Sequence, residues 1–484
     1  MRLGVVLNYL GRVVMLFSAC LLVPLVFSLA LDDGALHAYD EAIGVTLVAG
    51  GALWLATRKA RGELHVRDGF LLVALVWTTL PAFATLPLLI SLPGLSFTDA
   101  YFEAVSGLTA SGATVLSGLD RLPPSLNLWR GFMIWLGGMG VIVLAVAIMP
   151  LLGVGGSQLY KAETPGPMKD TKLTPRIAET AKGLWLVYFV LTGLCALAYR
   201  WAGMSGIDAL MHAFTTMGLG GFSTHDASFA YWNSPRIEMV AIVFMLLAGV
   251  NFATHFLAWR KLSLGPYRRD PEATIYLLVL AGSVLGIALY LVAMGVYDEF
   301  GTALRYSAFN VISIATTTGY ASTDFSLWPI FAPLWMLFLC SFVSCSGSTG
   351  SGVKMIRARI LFKQTFRELL RIIHPKVYSP VKFSGHPIEN NIVFAVLAYA
   401  FVYISCLSLG TLALTASGLD ALTGFSAAVA SINNMGPGLA QVGPATTYAI
   451  LNDFQTWVCT FLMLLGRLEL FTLLVVLTPA FWRK

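Results

Sequence analysis

At 484 residues, 57% of them hydrophobic and 12% charged, with a mean hydropathy of +0.76, the chain is far too apolar for a soluble domain, in which about 25% of residues are charged. The net charge of +6 is gathered in a few short loops and not on one basic face, which argues against a nucleic-acid binder. Six cysteines lie singly in or beside apolar runs without C-x-x-C spacing, and seven histidines form no ligand pattern, so a catalytic metal has no support.

A bilayer core takes about 20 apolar residues per helix. In chain order the apolar runs fall at 11–31, 42–57, 69–92, 130–153, 183–203, 236–259, 274–296, 329–345, 391–415 and 446–477, which predicts about ten spans with four shorter apolar stretches between them. The first run, VVMLFSACLLVPLVFSLAL, exceeds the roughly 7 to 15 residues of a signal-peptide core and precedes DDG, a poor cleavage site, so it reads as a retained helix. Basic residues gather in alternate loops: Arg58, Lys59, Arg61 and Arg67; Lys161, Lys169, Lys172, Arg176 and Lys182; Arg260, Lys261, Arg268 and Arg269; then Lys354 to Lys382. The intervening loops carry Asp32, Asp33, Asp99, Asp120, Asp226, Asp298, Glu299 and Asp324. Basic loops stay cytoplasmic, which predicts that both termini are inside.

The shorter stretches repeat. FEAVSGLTASGATVLSGLD, MHAFTTMGLGGFSTHDAS, FNVISIATTTGYASTDFS and SAAVASINNMGPGLAQVG align without gaps and bring Gly112, Gly221, Gly319 and Gly436 into register, roughly a hundred residues apart. Each stretch is about 12 residues, too short to span, and dips in from the acidic side and returns there. Backbone that is not helical at membrane depth must be buried in protein or line a wet cavity, so four such loops around an axis would make a pore. Glycine reaches positive φ at little cost, which lets successive carbonyls face one axis and replace the hydration shell of a cation. The organisation predicted is an all-α polytopic membrane protein: a two-helix unit at 1–65, then four helix–pore loop–helix repeats at 66–160, 161–262, 263–375 and 376–484 around a central pore. No paired carboxylates, H-E-x-x-H or G-x-S-x-G string occurs at membrane depth, so an embedded enzyme is not expected.

Two features sit where they are costly. FVSCSGSTGSGVKMIR (342–357) interrupts the inner helix of the third repeat. It is not a Walker loop, because Val353 separates Gly352 from Lys354. Flexible residues Gly347, Ser348, Thr349, Gly350, Ser351 and Gly352 read as an intramembrane gate loop, with a kinked but static helix as the alternative. The last run carries Arg467 and Glu469 near its middle, where a charge faces a cavity or a partner. Two residues apart on a helix they point about 200° apart and are not expected to pair with each other. Arg467 is expected to face the conduction path below the glycines, against the loop serines. Asp99, Asp208 and Asp420 begin short stretches, either capping helices or attracting cations, and Glu103, His212 and Asn310 coincide as supports behind the glycines.

TTTGYAS resembles the potassium-channel filter T-V-G-Y-G, and the fourfold arrangement within one chain resembles the Trk/Ktr/HKT potassium-transporter superfamily. TASGAT, GLGGFST, TTTGYAST and NNMGPG, with the two extra N-terminal helices, point to its bacterial branch. The resemblance covers essentially the whole chain. It implies K⁺ as the transported ion, no organic cofactor, and filter carbonyls at Ala110, Ser111 and Gly112; Leu219, Gly220 and Gly221; Thr317, Thr318 and Gly319; and Asn434, Met435 and Gly436. It also carries an arginine onto Arg467, and implies a gate loop, a bacterial inner-membrane location, a homodimer, and a cytosolic ring of nucleotide-binding regulatory subunits of the TrkA type. Na⁺-preferring plant relatives replace the first glycine by serine; all four are glycine here, which favours K⁺. Pro437 follows the fourth glycine where the others have Ala113, Phe222 and Tyr320, so the pore is only pseudo-symmetric. The basic segment 354–382 and the loop 157–182 are the candidate surfaces for the ring, and 354–382 equally suits membrane lipid. Channel conduction is the reading favoured over proton- or sodium-coupled symport, because the inner helices hold few titratable acids.

Overall fold

The computed structural model describes residues 2–60, 62, 64–143, 177–383 and 386–483. Within them the regular structure is helical apart from a two-residue antiparallel pairing of Lys382–Phe383 with His386–Pro387. Helix is the form in which a segment without water satisfies its own N–H and C=O groups. Leu3–Cys20 with Leu22–Leu31 turns through Asp32 (φ 50°) and Gly34 (φ 80°) into Leu36–Thr57, which packs back against it. The two cross where Gly11 and Gly50 meet: a Cβ on either would lie 2.9 Å from the other's carbonyl oxygen. Small residues let membrane helices approach this closely.

Four times thereafter a long helix leads into a short buried one, an irregular segment and a second long helix. The short helices are Phe97–Leu108, Gly206–Gly218, Phe300–Ala315 and Ala421–Ile432. Ser96, Ser205 and Asp420 cap three of them by accepting from Asp99, Asp208 and Thr423 backbone N–H groups, and the Asp99 and Asp208 carboxylates accept from the same two serines. Asp420 therefore caps its helix, while Asp99 and Asp208 brace the serines that cap theirs. Each short helix packs on the second long helix of its own unit and on that of the unit before, the first closing onto Asp453–Arg467 of the fourth. That cyclic contact makes a closed pseudo-fourfold bundle.

Five helical stretches are long and apolar enough to cross a membrane: Leu3–Leu31, Val66–Ser91, Gly183–Ala202, Ala273–Ala293 and Asn390–Ala416. Two bent pairs raise the number to seven among the described residues: Pro235–Ala248 with Phe252–Lys261, at 94°, and Asp453–Arg467 with Phe471–Leu477, at 116°. Of the ten expected runs, 42–57, 130–153 and 329–345 are not in that count. Leu36–Thr57 carries Asp40 and Glu41, and the run 329–345 yields only the ten-residue helix Phe331–Cys340 before serines and glycines break it. The described part of the run 130–153 ends at Val143, and residues 144–153 lie outside the described residues.

Glycines set how closely the central helices approach. A Cβ on Gly137 would lie 2.0 Å from Leu108 O, and one on Gly466 would lie 2.0 Å from Ile432 O. Backbone cannot yield as a side-chain tip does. Gly466→Ala is therefore expected to lose about 1–3 kcal/mol, read as a lower thermal midpoint in detergent, whereas Gly193→Ala, where a Cβ meets nothing within 4 Å, leaves the midpoint unchanged.

Candidate functional site

The four short helices end in one repeated backbone motif. Ala110, Leu219, Thr317 and Asn434 take left-handed φ of 56°, 53°, 63° and 50°. Their N–H groups donate three residues back, to Gly107, Thr216, Ile314 and Ser431 carbonyls; the next N–H groups, of Ser111, Gly220, Thr318 and Met435, donate five back, to Ser106, Thr215, Ser313 and Ala430. This is a Schellman ending with a non-glycine residue in the strained position. One residue further, Gly112, Gly319 and Gly436 have φ of 81°, 89° and 91°. Gly221 departs from them, and its need for glycine is steric. A Cβ on Gly221 would lie 2.7 Å from Thr318 O, and one on Gly112 would lie 2.2 Å from Gly221 N. On Gly319 it would lie 2.1 Å from Met435 O, and on Gly436 3.0 Å from Ser111 O. The four segments thus meet in chain order as a closed ring, with the negative ends of four helices directed toward it.

Side chains fix this ring from behind. Arg130 and Glu103 form an ion pair buried to zero exposure, at 2.8 Å. Glu103 accepts from Val115 N and Thr114 Oγ1, beyond the first glycine. Arg130 donates to Ser223 O, beyond the second, and its guanidinium lies 4.3 Å from the Phe222 ring centroid. One pair therefore clamps two segments together. At the matching position His212 contacts Ser223 Oγ at 3.0 Å and Asn310 bonds Ser322 twice; in the fourth unit that position is Ala427, and the preceding Ser426 accepts from Leu439 N. Tyr448 Oη donates to Gly436 O.

Below the ring, residues 341–354 leave the helix path, with Gly347, Gly352 and Lys354 at φ of 73°, 89° and 69°. Thr349 Oγ1 donates to Met217 O, and Ser351 N to Thr317 Oγ1, at the ends of the second and third short helices. Ser348 Oγ donates to Cys345 O. A Cβ on Gly347 would crowd Asn251 Oδ1 at 2.8 Å, one on Gly350 Ser344 Oγ at 2.4 Å, and one on Gly352 Ser341 O at 2.8 Å. Arg467 meets this loop: Nη1 donates to Thr349 O (3.1 Å) and Ser351 Oγ (3.2 Å), and Nη2 to Gly137 O (2.7 Å) in the first unit. The run containing it is not one straight span. The helix ends at Arg467, and Glu469 and Leu470 take φ of 54° and 56°. The angular argument for Arg467 and Glu469 therefore does not apply, although they do remain unpaired with each other. Glu469 binds Arg357, and Lys354 Nζ at 3.3 Å. Glu272, just before Ala273–Ala293, accepts from Ser346 N of the loop, and burial pushes its carboxyl up to about 7.

On the opposite side the loops after the first and second glycines are strapped together. Asp226 accepts from Gly118 and Leu119 N–H groups. His225 Nδ1 binds Asp120, its Nε2 lies 3.7 Å from Asp208 Oδ1, and its ring stacks on Tyr231. Burial opposes the imidazolium, but Asp208 and Asp120 outweigh it and hold His225 above its ordinary value. Both carboxyls are correspondingly low despite their own burial. Among the described residues no group of three His, Cys, Asp or Glu could hold a metal ion.

A family model described as "TrkH: Cation transport protein" matches residues 38–484. The chain is 46% identical to the Trk system potassium uptake protein TrkH of Halomonas elongata and 44% to that of Escherichia coli K12, over 100% of both chains in each case. It is 36% identical to the Trk system potassium uptake protein TrkG of E. coli K12, over 99% of each. The crystal structure of the potassium transporter TrkH from Vibrio parahaemolyticus superposes with a TM-score of 0.91 at 41% identity, over the whole of both chains.

Breaking a buried ion pair costs about 3–5 kcal/mol. Glu103→Gln is expected to lower the thermal midpoint far more than Asp99→Asn, whose carboxylate braces an exposed cap. The His225 strap has a defined sign: its folded pKa is raised, so its stabilisation is complete below about 6.5 and fades as pH rises through the folded value. Asp120 and Asp208, with lowered pKa values, stay charged across that window. Thermal midpoints of the native chain and His225→Gln, scanned from mildly acidic to alkaline pH, are expected to converge as pH rises.

Proposed function

The chain belongs to the TrkH family of cation transport proteins, is no enzyme, and on that footing we propose that it takes up potassium across the bacterial inner membrane through a gated, channel-like filter. The observation that carries the reading is the closed ring of four glycine segments at the ends of four buried helices. Left-handed residues alternate along the first, third and fourth segments, and on this reading the carbonyls turn to one side and replace the hydration shell of K⁺. The filter so proposed is Ala110 to Gly112, Leu219 to Gly221, Thr317 to Gly319 and Asn434 to Gly436. Helix C-termini add partial negative charge where the ion rests. Below it Arg467 repels a resting cation and shortens its stay, while the loop Gly347 to Gly352 closes the path through Thr349 and Ser351.

The reading includes a two-helix unit at 1–65 and four repeats at 66–160, 161–262, 263–375 and 376–484, with both termini cytoplasmic. A second copy completes a homodimer, and a cytosolic nucleotide-binding ring sets the gate. The ring would grip Met355–Ile373, which leaves Phe362, Phe366, Leu369 and Ile373 exposed along one face. The other surface considered, 157–182, lies outside the described residues up to 176. One observation favours proton-coupled symport as the second reading: Glu272, a carboxyl held near neutrality by burial, touches the loop.

Reconstituted in liposomes, the protein is expected to take up ⁸⁶Rb⁺ in a manner blocked by K⁺ at concentrations at least about tenfold below those of Na⁺. Arg467→Ala should raise that flux, and deletion of Gly347 to Gly350 should give uptake without the cytosolic ring. Unchanged or abolished flux in both variants would count against the gate. Single-channel currents above transporter turnover would exclude symport.

A further inference from the structure

At the inner end of the N-terminal helix pair lies a cavity of about 830 Å³, lined by Asn8, Tyr9, Arg12, Trp54, Arg58 and Lys59 with three smaller residues. The Gly11–Gly50 crossing holds its two walls together, and Asn8 Nδ2 donates to Thr57 Oγ1 across them. Among the described residues no carboxylate lines it. Arg12 lies 5.6 Å from the Tyr9 ring centroid, and among the described residues it forms no ion pair. Three like charges around one cavity repel, and an anion inside would turn that repulsion into attraction.

Depth and surroundings say which anion. Arg12 precedes Asp32 by 20 helical residues, about 30 Å, the thickness of the hydrocarbon core. With Asp32 and Asp33 at one boundary, Arg12, Arg58 and Lys59 lie at the other, at headgroup level, beside Tyr9 and Trp54, residue types that favour that level. Apolar side chains stand one turn away toward the bilayer: Leu16, four residues after Arg12, is 72% exposed, and Leu55, four before Lys59, is 52% exposed. A free phosphate would use the charges alone. A diacyl lipid uses both features.

We propose that this cavity is a binding site for an anionic phospholipid, with Arg12, Arg58 and Lys59 on the headgroup phosphate and Leu16 and Leu55 along an acyl chain. Basic pockets between membrane helices recognise such headgroups. The site rests on membrane embedding; the topology proposed above decides only that the lipid comes from the cytoplasmic leaflet.

Native mass spectrometry of the full chain in detergent tests it, with phosphatidylglycerol, cardiolipin and phosphatidylethanolamine as probes and inorganic phosphate as competitor. Phosphatidylglycerol or cardiolipin should be retained about tenfold or more over phosphatidylethanolamine. The triple variant Arg12→Gln, Arg58→Gln, Lys59→Gln should lose that preference, whereas Lys261→Gln, Arg268→Gln, Arg269→Gln, with the same change of charge elsewhere, should keep it. Equal retention of all three lipids by the native chain overturns the proposal without any variant, even if the triple variant fails to fold. Equal loss in both triples, or displacement of lipid by millimolar phosphate, overturns it as well. Because retention is read in detergent, a protein that passes no Rb⁺ still reports on this site.

Discussion

Four chain segments meet backbone to backbone around Gly112, Gly221, Gly319 and Gly436, with no room for a Cβ on the first three and a tight contact on the fourth. Main chain that is not helical can lie at membrane depth only if other protein or water surrounds it. Much else follows from that requirement. The short helices must be buried toward their C-terminal ends and must end where they do. The inner helices of the first and fourth units must carry Gly137 and Gly466 to press against the terminal carbonyls of Leu108 and Ile432. In the long apolar helices, by contrast, only 22–44% of the most apolar 18-residue window is buried inside the chain.

Holding strained backbone in place calls for partners, and the partners differ between units. The first uses a carboxylate neutralised by Arg130, the second His212, the third Asn310, the fourth Ser426. Each links the short helix to the segment beyond its glycine. The chemistry varies because only the hydrogen bond is required. Glu103 is costly unless paired, and its arginine comes from the next helix and reaches Ser223 of the second unit, so compensation of one charge also fastens two units.

The ring was legible in the sequence because a backbone-to-backbone contact leaves little choice but glycine, and four in register are hard to mistake. The same logic predicted a left-handed backbone only at the glycines. It missed Ala110, Leu219, Thr317 and Asn434, since nothing in those residue types announces the conformation; the Schellman bonds impose it. Arg467 stood out as a charge in an apolar run, yet Arg130, in NLWRGFMIWLGG, carries the same signal and was overlooked, as was its pairing with Glu103. The break after Arg467 was hidden because LLGRLELFTLL stays apolar on both sides, and hydropathy does not register a change of backbone direction. The strap of His225 joins residues 105 positions apart and has no local signature.

The asymmetry of the units has its own physical consequence. Arg467 of the fourth unit reaches Gly137 of the first and Thr349 and Ser351 of the third, so one guanidinium touches three units below the ring. In a homotetramer that position would recur four times, and four buried cations around one axis would repel each other strongly at low dielectric. It would also place four such loops in the space that one fills. A single chain with diverged repeats escapes both difficulties. The loop is confined to the third unit and the arginine to the fourth, and the donors of one side chain are matched to carbonyls that a symmetric ring would have to share. The departure from fourfold symmetry is thus what allows one loop and one positive charge to lie beneath a ring built from four similar parts.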